Sequence, residues 1–181
     1  MHSVVNFIAF QIGWFAAVLG AGHGMPWLGV LIVPWVLLLD LVLSADWRQE
    51  LIVALAAAVM GFAVDTGLVA AGVFAPVPFL VPRPFSPLWM VMLWVNQATT
   101  LNSCMGWLRG RYLAGALFGA VGGPLAYLSG AKLGAASLPS ANGLLILGIV
   151  WAGAFPALLA VAEFVRGRLA SSPQQGFFRN R

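Results

Sequence analysis

Apolar residues in this chain come in long, nearly unbroken runs, and the polar residues are gathered in the gaps between them. Six runs stand out, at about Val4–Leu19, Trp27–Leu43, Leu51–Phe74, Leu88–Met105, Tyr112–Ala131 and Leu144–Val165. A helix needs about 20 mostly apolar residues to cross the hydrocarbon core of a bilayer. The pattern therefore predicts an all-α fold, a polytopic bundle of six transmembrane helices over residues 1–165. A basic tail, residues 166–181, follows with four arginines among Ser, Pro, Gln and Gly, a composition that reads as disordered and close to anionic lipid headgroups. The first two runs are short, and Gly20 to Pro26 leaves room only for a tight turn, so they form a helical hairpin. Only Met1, His2 and Ser3 precede the first run, which lacks the basic stretch of a signal peptide and reads as a retained helix.

Polar residues inside the runs are the candidates for chemistry. Asp65 lies fifteen residues past Glu50 and is the only charge between Leu51 and Phe74. A carboxylate at membrane depth is expensive, which makes it a functional candidate by default. In the fourth run Asn96, Thr99, Thr100 and Ser103 fall at helical spacing on one face, with Gln97 and Asn102 toward its flanks. That face must look into the bundle, either as hydrogen-bonding glue between helices or as the wall of a polar cavity. Asp65 and Asn96 have comparable predicted depths, so Asp65 is expected to accept hydrogen bonds from Asn96 or Thr99. Protonation is the other way to relieve its cost, and a carboxyl with two states suits proton relay or cation binding. Lys132 either snorkels outward or turns in to Asp65. Asp40 and Glu163 lie near helix ends, within reach of water and of Arg48 or Arg166. Asn6 and Gln11 are the polar residues of the first run, and one of them is expected to meet the fourth helix. His23, in the glycine-rich turn, reads as solvated.

Small residues carry a packing signal. Gly115, Gly119 and Gly123 recur every four residues, beside Ala116 and Ala120, a pattern that lets helices approach closely. Gly122-Gly123-Pro124 is expected to kink or break the fifth helix, freeing a carbonyl that serves either packing alone or a ligand. Ala75 to Pro87 holds five prolines with Val77, Phe79, Leu80, Val81 and Phe85. Such a loop is extended, and lies on the membrane interface or covers a cavity as a lid.

Composition and charge narrow the class. Hydrophobic residues make up 61% of the 181 and charged residues only 8%, so the solvent must be lipid. With the N-terminus inside, the inner segments carry seven arginines (48, 109, 111, 166, 168, 179 and 181), against Arg83 and Lys132 outside. This bias places both termini in the cytoplasm. Trp27 and Trp89 then fall at the outer interface, and Trp47 and Trp107 at the inner one. The sequence pI near 10.2 reflects these orienting charges, not a nucleic-acid face. Cys104 is the only cysteine, and no His/Cys cluster, phosphate loop or dinucleotide fingerprint is present, so no metal, cofactor or catalytic residue is assigned. The expected partners are membrane lipids, with a membrane protein or a second copy of the chain as further possibilities.

Three blocks carry a resemblance: Asn6 through Phe15; Trp89 to Trp94 with Thr100, Asn102 and Trp107 to Arg109; and Gly122 to Tyr127 with Gly130, Leu133 and Gly134. Together they resemble a domain-of-unknown-function family of small proteobacterial inner-membrane proteins, over nearly the whole chain. The resemblance implies no activity or catalytic residues. Members encoded near enzymes similar to cyclopropane-fatty-acid synthases imply a membrane-lipid role. The leading expectation is a multi-pass bacterial inner-membrane protein, a non-enzymatic lipid-linked accessory or small transporter. Its polar site would comprise Asp65, Asn96, Thr99, Thr100, Asn102, Ser103 and Lys132. The competing expectations are an intramembrane lipid-modifying enzyme using Asp65 as acid or base, and a purely structural subunit.

Overall fold

Long apolar runs can satisfy their backbone groups without water only by forming helices, and six helices account for most of the chain. The computed structural model describes residues 2–171. The helices are α1 (His2–Gly22), α2 (Trp27–Leu43), α3 (Trp47–Ala70), α4 (Leu88–Leu101), α5 (Tyr112–Lys132) and α6 (Gly143–Ala170). A 3-10 turn, Gly106–Leu108, lies between α4 and α5. Two short strands, β1 (Ala75–Pro76) and β2 (Ala136–Ser137), pair antiparallel and clip the α3–α4 loop to the α5–α6 loop.

By length and composition α1, α3, α5 and α6 can each cross a membrane, and α2 is a shorter apolar helix. Large apolar side chains cover their outward faces, among them Phe7, Leu31, Val59, Leu117 and Ile149. Their length and apolar character suit a membrane protein. The fourth differs from expectation: α4 stops at Leu101, not Met105, and has 14 residues, about 21 Å at the helical rise. Its end follows from the side chains there. Thr100 folds its hydroxyl back onto the Gln97 carbonyl, while Asn102 and Ser103 reach away to carboxylates on α3 and α2.

Ten of the 14 residues of α4 are buried, which marks it as the central helix. It packs on α1, α2 and α3, while α5 and α6 form a tight pair whose α6 member lies on α3. The main core joins Val53, Ala57, Trp94, Leu108, Phe155 and Leu158. A second core under the β clip joins Ala17, Leu68, Phe74, Trp89 and Leu147.

Other boundaries moved for identifiable reasons. The Asp46 side chain caps α3 by accepting from the Arg48 amide at 3.0 Å, so the helix starts at Trp47. It ends at Ala70 because Gly72, at φ 68°, takes the left-handed turn that closes a helix C-terminus. The helix α5 runs through Pro124 without the expected break. Proline at that position leaves the Ala120 carbonyl without its helical donor. That carbonyl faces Gly148 of α6, where a Cβ would come within 3.2 Å of it, so it is packed against a helix. The glycine row does what its spacing predicts. Gly115 faces Leu159, Gly119 faces the Trp151 carbonyl and Gly123 faces the Trp151 ring, each too close to admit a Cβ freely. The first five residues expected in the basic tail, 166–170, belong to α6; residues 172–181 lie outside the described residues.

Candidate functional site

Asp65 is completely buried. Its Oδ2 accepts from Trp94 Nε1 of α4 at 2.9 Å, and its Oδ1 accepts from the Tyr127 hydroxyl of α5 at 2.5 Å. Buried indole and phenol groups need a polar partner, and an ionisable acceptor gives them a strong one. Local sequence makes room for the arrangement. Gly61, four residues before Asp65 on α3, lies where any Cβ would overlap the Trp94 ring. Trp94 stacks on Trp151 of α6, with centroids 4.7 Å apart and an interplanar angle of 19°. Tyr127 meets Phe74 edge-on at 4.9 Å and Trp151 at 6.4 Å. Residues of α3, α4, α5 and α6 thus converge around one carboxylate.

The expected partners of Asp65 lie elsewhere. Asn96 donates to the Phe10 carbonyl at 2.9 Å, close against Gly13 of α1. The Thr99 hydroxyl returns to the Asn96 carbonyl at 2.8 Å. Asn6 of α1 does meet α4, donating to the Thr99 carbonyl at 2.9 Å and to Asp40 Oδ1 at 3.1 Å. Ser103 also donates to Asp40, at 3.4 Å. Asp40 is buried, not reaching for water. Asn102 bridges, donating to Glu50 at 3.1 Å and accepting from Arg109 at 3.5 Å. Thr100 accepts from Gln97 at 2.9 Å. The polar face of α4 therefore ties α1, α2 and α3 together, separately from Asp65. Lys132 is exposed at the end of α5, and no hydrogen bond joins it to Asp65. Glu163 accepts from the Gly110 amide and the Tyr112 hydroxyl, closing the opposite end of the α5–α6 pair.

Beside the Asp65 cluster a cleft of about 400 Å³ runs along the seam where α1 and α5 barely touch. Phe10 and Trp14 of α1 line one side, Tyr127 of α5 and Trp151 of α6 the other, with Asp65 and Gln97 in its wall. Phe7 and Phe118, at its rim, are exposed. Ala136 of β2 borders the cleft where the β clip crosses the bundle, and Trp89, also in the lining, donates to the Val77 carbonyl of the cap at 2.9 Å. The proline-rich loop thus covers this end of the helices. Gly130 is buried in the lining, yet a Cβ there would meet nothing within 4 Å. Among the described residues, no three His, Cys, Asp or Glu side chains gather closely enough to hold a metal ion. Trp94, Tyr127 and Trp151 do not stand out as polar positions in the sequence, because aromatic residues in apolar runs read as packing. The signal available was Tyr127 itself, one of only two tyrosines in the chain and well inside a helix.

The profile of a family described as "Protein of unknown function (DUF2878)" matches residues 3–157. The chain belongs to this family. The DUF2878 match extends from α1 into α6 and takes in Asp65, Trp94, Tyr127 and Trp151. No curated protein and no solved structure matches the chain.

Proposed function

We propose that this DUF2878 protein is a multi-pass protein of the bacterial inner membrane, with both termini cytoplasmic, that takes up a membrane-borne amphipathic molecule through the α1–α5 cleft. Its role is that of a non-enzymatic, lipid-linked accessory or small transporter. The observation that carries this reading is the cleft itself, about 400 Å³ in volume and rimmed by the exposed Phe7 and Phe118 on two helices of membrane-crossing character. Its volume falls within the roughly 300–1,000 Å³ typical of small-molecule sites, and such sites are mostly apolar with a few polar groups. The orientation rests on the excess of arginine in the segments assigned to the cytoplasm. An enzyme using Asp65 is disfavoured because both carboxylate oxygens already accept from Trp94 and Tyr127, and among the described residues no Ser, Thr, Cys or His lines the cleft beside them.

The test is photolabelling in native membranes with a lipid carrying a diazirine on its acyl chain. Label is expected on residues of the cleft, and Gly130→Leu, at a lining position where a Cβ would meet nothing within 4 Å, is expected to remove most of it. Labelling spread evenly over all lipid-facing helices, and unchanged by the substitution, would overturn the reading. Flux of the labelled lipid in proteoliposomes separates a transporter from an accessory.

A further inference from the structure

The cleft has an unusual charge balance. Among the described residues lining it there is no Lys, Arg or His, and its one carboxyl group is that of Asp65. Both oxygens of that carboxylate accept, one from an O–H and one from an N–H, and neither donor carries a positive charge. Nine of the 21 other lining residues are aromatic, and the faces of aromatic rings are electronegative and attract cations. Tyr127 is both a lining ring and a donor to Asp65, so the carboxylate pushes electron density into a π-system that borders the cleft. Trp94 is coupled to Asp65 in the same way and stacks on Trp151, another lining ring. Charge interactions are strong in such a poorly polarisable setting.

We infer that the molecule admitted by the cleft is a lipophilic cation, an apolar body bearing an amine or a quaternary onium centre, held among the aromatic rings with Asp65 behind them. The inference rests on the cleft reading above and adds the chemical class of its ligand. The cation need not touch Asp65, whose negative charge acts from behind Tyr127 and Trp94. A lipid with an anionic headgroup meets no donor cation in the lining and is disfavoured there. Entry through the rim of Phe7 and Phe118 suits a molecule that already partitions into the bilayer.

Two ions of the same shape and opposite sign test this without altering the protein. The purified full-length chain in neutral detergent is dialysed to equilibrium against tetraphenylphosphonium or tetraphenylborate. The phosphonium is expected to bind more tightly by about thirtyfold, the scale of a desolvated cation–π contribution. Asp65→Asn should weaken the phosphonium and leave the borate unweakened, and Gly130→Leu should weaken the phosphonium by occupying the cleft. Equal or tighter binding of the borate to the unaltered chain would sink the inference, whether or not Asp65→Asn folds. If neither ion binds while the acyl-chain photolabel still depends on Gly130, the cationic class is wrong and the cleft reading stands. If the photolabel also fails, both fall.

Discussion

At the scale of single residues, the Tyr127 hydroxyl matters because it is one of two donors serving a carboxylate that has no access to water. Tyr127→Phe leaves that oxygen of Asp65 unpartnered, at an expected cost of about 1–3 kcal/mol. The drop should appear as a lower midpoint in denaturation of the detergent-solubilised protein, with Tyr112→Phe as the control. Tyr112 bonds to Glu163 at an exposed site, so its loss should matter much less. A Tyr127→Phe midpoint equal to that of the unaltered chain would show that Asp65 does not depend on this donor. Asp65 was legible in the sequence because a lone carboxyl in an apolar run is costly and must be relieved by partners or by protonation. Its partners were not, since aromatic side chains at any depth pass for packing, and only the fold shows which of them aim a polar atom at the carboxylate.

Between elements, α5 offers a matched pair of glycines, one at its contact with α6 and one in the cleft wall. A Cβ at Gly119 would run into the Trp151 backbone carbonyl, which cannot step aside, whereas one at Gly130 meets nothing. Gly119→Ala is expected to destabilise the protein by about 1–3 kcal/mol through overpacking. Gly130→Ala should be neutral or stabilising by up to about 1 kcal/mol, because alanine favours the helical backbone. Denaturation midpoints of the two variants should therefore fall on opposite sides of, or at, the unaltered value, and equal losses would contradict the packing described. The Gly115, Gly119 and Gly123 row was readable because contact at a helix interface repeats with the helical period. The unbroken course of α5 through Pro124 was not, because a helix tolerates proline when a neighbour, here Gly148 of α6, lets the freed carbonyl pack. The early end of α4 escaped for a similar reason. Asn102 and Ser103 leave the helical course for carboxylates on α3 and α2, and no local rule announces partners so distant in the chain.

For the whole molecule, the helical architecture followed directly from the apolar runs, while the cleft depends on α1 and α5 being neighbours that scarcely touch, a non-local property without a sequence signature. The orientation can be checked on Cys104, the single cysteine, which lies just beyond α4 at the end assigned to the cytoplasm. A membrane-impermeant maleimide should label it in inside-out vesicles and not in intact spheroplasts; the reverse would invert the topology. Burial pushes its thiol above the usual cysteine range, leaving less thiolate at neutral pH, so labelling should quicken as the pH is raised. The β clip constrains the same seam mechanically. By fastening the α3–α4 loop to the α5–α6 loop, it extends the spine of a book, formed where α6 lies on α3, whose covers are the α1–α4 group and the α5–α6 pair. A guest longer than the cleft must part these covers from the fore-edge, so the spine sets which end of the seam can yield.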